Sequence, residues 1–191
     1  MKNQKKLIGI CISVVLMLSL SACNIVTFET RENTDLYDYD VEERIAELGL
    51  ELRIPGVPVA NYVNAVTAGD LVFMAGKGPR SGEKSFVTGK VGSDLTLDQG
   101  YEASSLAAIE QLSALKAEIG DLNRVVRIVK VLGMVNADPE FTDHSKVING
   151  FSDLMVEVFG ERGKHARAAV GMSSLPLGFA CEVEMVVQVK E

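Results

Sequence analysis

Arg167 is the residue whose setting most needs a chemical explanation. It stands in Lys164-His165-Ala166-Arg167-Ala168-Ala169-Val170, among small and apolar neighbours that read as a strand entering a core. A guanidinium carried into such a place requires an anion, because a buried unpaired charge is costly. Glu182 and Glu184, in the alternating run 179–189, would supply one through an internal ion pair from a neighbouring strand. A ligand carboxylate held in the planar guanidinium fork would satisfy the same need. The residues alone leave these two readings evenly matched.

The other reactive side chains read more simply. His144 sits amid Asp143 and Lys146 in the first turns of an expected helix, as a solvated residue, and His165 lies in the turn before Arg167. No Ser/His/Asp or Cys/His pattern gathers around either, so no activated nucleophile is built on them. Three cysteines at 11, 23 and 181 and two histidines are too few and too scattered for a disulfide framework or a four-ligand zinc site, and no metal centre is expected. Cys181, inside the alternating run, reads as a small packed hydrophobe. The loop 76–85 (GKGPRSGEKS) is not a phosphate loop, because only three residues separate Gly78 from Gly82 and Glu83 precedes Lys84.

These residues must be positioned by a mixed α+β framework. Val41, Ile45 and Leu48 at helical spacing predict a short helix over 41–50, ended by Gly49 and followed by two prolines. Residues 62–66 and 71–76 about the turn Ala68-Gly69-Asp70 predict a hairpin. Thr96 with Gln99 three residues on is a capping box; the helix it opens carries Leu106, Ile109, Leu112, Leu115 and Ile119 as its apolar stripe and ends at Gly120. The β-branched run 124–135 predicts an interior strand. Asp138-Pro139 opens a second helix with Val147, Phe151, Leu154, Val158 and Phe159 facing the core, and strands around 166–172 and 179–189 complete the chain. The order is β-β-α-β-α-β-β, with one extra short strand near 86–91, and both helices should cover one face of a mixed sheet. Val125, Ile128, Val183, Met185 and Val187 then offer more apolar surface than two helices hide, which points to an oligomer.

The chain begins with a basic segment (Lys2, Lys5, Lys6), an uncharged run from Leu7 to Leu20, and Ser21-Ala22-Cys23. That is the pattern of an export signal, too short in its apolar run for a membrane span. Its ending, Leu20-Ser21-Ala22-Cys23, looks like a bacterial lipobox, which implies cleavage before Cys23, lipid on its thiol and a membrane-anchored, extracytoplasmic protein. The expected organisation is a signal peptide over 1–22, a lipidated Cys23 with a polar tether over 23–40, and one domain over 41–191. Of 191 residues, 19 are Lys or Arg and 26 Asp or Glu, and loss of the three leader lysines leaves 16 against 26, a net charge of −10. Such a balance lacks the basic face that nucleic acid requires.

From about residue 58 to 189 the chain resembles the RidA/YjgF family of reactive-intermediate (enamine/imine) deaminases. The resemblance rests on Asn61-Tyr62-Val63-Asn64-Ala65-Val66, on residues 68–76 (AGDLVFMAG), on Ala166-Arg167, on Leu175-Pro176-Leu177-Gly178 and on Glu182-Val183-Glu184, with fifteen positions from Arg167 to Glu182 as in the family pattern. It departs at Ala75, Lys77, Gly78, Ala168 and Gly171, and the family's helix asparagine falls at Asn149 or has no equivalent. The resemblance implies a chorismate-mutase-like α+β fold and a homotrimer with sites between subunits. It also implies cofactor-free hydrolysis of small 2-imino acids to 2-keto acids and ammonia, as by a 2-iminobutanoate/2-iminopropanoate deaminase. Arg167 would then bind the substrate carboxylate, Glu182 would position or activate water, and Tyr62 would line the pocket. The alternative is a non-catalytic module that binds 2-keto acids or related carboxylates in the same cleft. An endoribonuclease, an activity also attached to the family, is disfavoured by the charge.

Overall fold

The computed structural model describes residues 36–58 and 60–190. The expected signal peptide, lipobox and Cys23 lie outside these residues. The elements in order are α1 (Val41–Glu47), β1 (Ala65–Ala68), β2 (Leu71–Lys77), α2 (Leu97–Ile119), β3 (Val125–Asn136), α3 (His144–Phe159), β4 (Ala166–Met172) and β5 (Cys181–Val189). The strands form one mixed sheet in the order β1-β2-β5-β3-β4, antiparallel except for the parallel pair β3–β4.

Local signals built most of these elements. The Thr96 hydroxyl accepts from Gln99 N–H while the Gln99 side chain accepts from Thr96 N–H, the reciprocal bonds of a capping box. The stripe of α2 is different from the expected one. Ala103, Ala107, Ala108, Leu112 and Leu115 are buried, whereas Leu106 and Ile109 are only partly so. Small residues let α2 lie close against its neighbours, so the large apolar side chains alone misjudge its inner face. The second helix starts later than Asp138-Pro139 suggests. Asp138 instead caps a turn, its carboxylate accepting from Glu140 N–H and its carbonyl from Phe141 N–H, and α3 begins at His144 after Asp143. Its predicted stripe, Val147 to Phe159, is buried. Residues 86–91 make only isolated bridges, not a strand.

Residues ahead of the expected domain start at 41 pack against the domain. Tyr37 Oη donates to the Val125 carbonyl (2.6 Å) and Tyr39 Oη to that of Val158 (2.9 Å), while Arg162 stacks over Tyr37 and donates to the Leu36 carbonyl. Residues 36–40 are therefore docked on the domain and lead into α1, which Asp40 caps.

Both long helices lie on one sheet face, α2 against β1, β2 and β5 and α3 against β3 and β4. The five residues expected to be left over, Val125, Ile128, Val183, Met185 and Val187, are all buried in the core. The surface left uncovered belongs to the opposite alternation: Val66 (55% exposed) pairs across strands with Phe73 (46%), and Val129, Val170 and Met172 are also exposed. The inference of spare apolar surface holds, but for a different set of residues, because strand parity decides which side chains meet the helices.

Candidate functional site

A cleft of about 650 Å³ opens where the C-terminal end of β2 meets the start of β5, and Tyr62, Asn64, Lys77, Glu110, Phe179 and Glu182 are among its lining side chains. A β-bulge makes this end of the sheet irregular: between Met74 and Lys77 the β2–β5 register shifts. The bulge would orphan a carbonyl, and Gln111 of α2 repairs it, its amide donating to both Ala75 O (2.9 Å) and Val183 O (2.6 Å). Two carbonyl partners also fix which end of the amide is nitrogen. A Cβ at Gly76 would collide with the Glu182 carboxylate, which lies against its backbone, so a larger residue here would displace that side chain.

Glu182 is half-buried, and burial together with the like charge of Glu184 pushes its pKa up against the pull of Lys77. Lys77 Nζ donates to Asn64 Oδ1 at 2.5 Å. Burial lowers the Lys77 pKa, with Glu110 and Glu182 opposing. Glu110 is buried and faces two guanidinium groups, Arg53 at 3.6 Å and Arg80 at 3.8 Å. Desolvation nevertheless raises its pKa.

Arg167 is elsewhere. Its Nη1 donates to Asn149 Oδ1 (3.0 Å) and Ser152 Oγ (2.8 Å), and its Nη2 to the Ser145 carbonyl (3.2 Å). Asn149 and Ser152 are three apart on α3 and so share one helix face. A guanidinium carries five N–H donors, so two remain without a partner among the described residues. The internal ion pair with Glu182 or Glu184 does not form. The strand beside β4 is β3, not β5: Arg167 is in register with Val131, and Glu182 pairs with Met134 on the other side of the same strand. The two side chains also point oppositely. Arg167 reaches α3, whereas Glu182 alternates with the buried Cys181 and Val183 and faces away from the helices. At about 4.8 Å per strand and about 3.3 Å per residue, their Cα atoms are roughly 14 Å apart. One chain thus brings Tyr62 and Glu182 together but holds Arg167 apart from them.

His165, set aside on sequence, belongs to the arginine cluster. Its Nδ1–H donates to the Gly163 carbonyl (2.7 Å), which leaves Nε2 to accept from the Ser152 hydroxyl (3.0 Å) while that hydroxyl accepts from Arg167. Burial lowers the His165 pKa, the Gly163 bond opposes this, and the positive charge of Arg167 lowers it further. The signal that could have revealed this cluster is the pair Asn149 and Ser152, polar residues spaced to share one face of an otherwise apolar helix. His144 is not simply solvated. Its ring packs edge-on against Phe141 and lies where a Cβ at Gly171 would be. Cys181 is buried and free, and its thiol is pushed up to about 12, mainly by desolvation. Among the described residues no cluster of three or more His, Cys, Asp or Glu side chains is placed to hold a metal ion, and no helix is long and apolar enough to cross a membrane.

The mixed sheet with two long helices on one face, a glutamate-bearing cleft at one sheet end and a half-buried arginine fork on the edge strand define a chorismate-mutase-like α+β domain. Residues 42–189 match the family model described as "YjgF/chorismate mutase-like, putative endoribonuclease", and the chain belongs to this family. Protein TCP17 of Trypanosoma cruzi is 40% identical over 149 residues, covering 78% of this chain and 93% of that protein. Among solved structures, a protein of unknown function from Agrobacterium tumefaciens is 40% identical with a TM-score of 0.74, over 78% of this chain and 92% of that one. One from Shewanella oneidensis, described as a putative endoribonuclease, is 30% identical with a TM-score of 0.76, over 79% of this chain and 100% of that one.

Proposed function

We propose that this protein is a hydrolase that deaminates small 2-imino carboxylic acids to 2-keto acids and ammonia, with sites formed between copies of the chain in a homotrimer. The observation that carries the reading is the Arg167 fork, oriented by Asn149, Ser152 and the Ser145 carbonyl, with two donors still available and no carboxylate paired with it among the described residues. Two parallel N–H donors suit a carboxylate. Because Arg167 and the Glu182 cleft face opposite sides of one sheet, the complete site takes Arg167 from one copy and Glu182 with Tyr62 from another. The uncovered apolar face around Val66, Phe73 and Val170 supports such an assembly.

In this site Arg167 binds the substrate carboxylate and fixes C2 of the imine. Glu182 takes a proton as water attacks C2, and its raised pKa brings it nearer the value a general base needs at neutral pH. A protonated imine is already electrophilic at C2, so holding it in place favours attack. The net charge of −10 beyond the leader disfavours an RNA substrate. Lipid attachment at Cys23 would place this chemistry outside the cytoplasm; accumulation of the uncleaved precursor under globomycin tests it.

The deciding experiment generates imines with an amino-acid oxidase and traps them with semicarbazide. Wild-type protein is expected to divert imine from the trap, and Arg167→Ala to abolish the diversion while remaining folded. Two charge-assisted bonds at about 1.5–3 kcal/mol each correspond to a loss of at least about a hundredfold in kcat/KM. Equal activity in both proteins refutes the assignment. Glu182→Gln separates the enzyme from the alternative binding module: it should end turnover and spare carboxylate binding.

A further inference from the structure

The cleft holds an amine that this reading has not used. Lys77 is half-buried and makes no ion pair within 4 Å among the described residues, unlike Lys116, Lys146 and Lys164. Glu110, whose charge acts on Lys77, is committed to Arg53 and Arg80. What holds Lys77 Nζ directly is a neutral group, Asn64 Oδ1, which orients the amine, while Glu110 and Glu182 act on its charge from farther away. Glu182 shares the cleft, and the two groups interact electrostatically. An amine that is desolvated, oriented, unpaired and beside a titratable carboxylate has the requirements of a Schiff-base nucleophile.

We infer that Lys77 is a catalytic residue that forms a Schiff base with the C2 carbon of 2-imino and 2-keto acids in this cleft. Burial lowers the Lys77 pKa, which raises the fraction of free amine. An anchor for a second substrate carboxylate fits less well, since Glu110 and Glu182 act on the same amine and repel anions. The steps balance without a cofactor. The neutral Lys77 nitrogen attacks C2 of the protonated imine and the C–N bond forms. Glu182 moves one proton from that nitrogen to the departing one, and ammonia leaves as its bond to C2 breaks. Water then adds to the protonated Schiff base, the Lys77–C2 bond breaks, and the 2-keto acid leaves with Lys77 as an ammonium, whose proton passes through solvent to the released ammonia and restores the free amine. The overall change is protonated imine and water to keto acid and ammonium. The substrate assignment rests on the deaminase reading; the covalent step does not.

The test incubates the full chain with pyruvate and sodium cyanoborohydride and reads intact mass, followed by peptide mapping. The expected result is a saturable single reduced adduct on Lys77, lost in Lys77→Arg and Lys77→Gln, with both variants retaining the wild-type circular dichroism spectrum. No adduct, or adducts spread evenly over surface lysines and unchanged in the variants, overturns the proposal. Imine hydrolysis decides the two ideas separately. Arg167-dependent hydrolysis that continues at the wild-type rate in Lys77→Gln sinks the covalent step alone. A Lys77 adduct in a protein without hydrolysis sinks the deaminase reading and leaves the covalent step standing.

Discussion

Gly150→Ala separates two opposed expectations for α3. Helix propensity alone predicts that replacing a mid-helix glycine by alanine stabilises by about 1 kcal/mol. The packing predicts the reverse. A Cβ at Gly150 would run into the backbone carbonyl of Tyr101 on α2 and come within 2.6 Å of Ser104 Oγ. Backbone cannot rotate away, so α2 and α3 must separate by about 1 Å, enough to forfeit a quarter to a half of the dispersion energy at the contacts that open. The same separation strains Ser104 Oγ to Val147 O (2.6 Å), Phe151 N–H to Ser104 Oγ (3.0 Å) and Ser105 Oγ to Gly150 O (3.0 Å). Overpacking of about 1–3 kcal/mol and three weakened bonds at about 1 kcal/mol each, less about 1 kcal/mol of propensity, leave a net loss of about 3–5 kcal/mol. For a domain of this size that is a fall of roughly 6–20 °C in Tm. Thermal unfolding followed by circular dichroism measures it. The variant should also bind carboxylates more weakly, because Asn149 and Ser152 on the same turns orient Arg167. A Tm equal to or above wild type would refute the close-approach argument.

Two further outcomes follow from buried titratable groups. His165 has a folded-state pKa below its unfolded value, so the unfolded chain binds its proton first as pH falls. Its contribution is fully present above the unfolded value of about 6.5 and is lost as pH drops through the lower folded value. Denaturant titrations should therefore show stability falling below about pH 6.5 more steeply in wild type than in His165→Gln; identical slopes would mean His165 is solvated in solution. Cys181, buried with its thiol pushed up to about 12, should not react with a disulfide reagent in the native protein and should react promptly in guanidinium. Rapid native labelling of that residue would place it at the surface instead.

Local chemistry made much of the framework legible. The Thr96–Gln99 box, the glycine ends of α2 and α3, the β-branched run of β3 and the alternation of β5 each depend on residues within a few positions of one another. They therefore carry their own signal. The resemblance likewise named a family whose membership the match over 42–189 establishes. What sequence could not settle depends on contacts between distant segments. That β3 intervenes between β4 and β5 decides that Arg167 has no internal glutamate partner, and a crossover leaves no local trace. Strand parity relative to two helices decides that Val187 is buried and Phe73 is not, although both are apolar residues in neighbouring strands. The turn at Asp138 borrows a hydrogen bond to the Val91 carbonyl, so α3 starts later than its proline suggests. The link from His165 through Ser152 to Arg167 joins a helix to the start of a strand. Residue types named the candidates. Only the tertiary structure could say which of them meet, because meeting is a matter of sheet order and facing, which no short stretch of chain encodes.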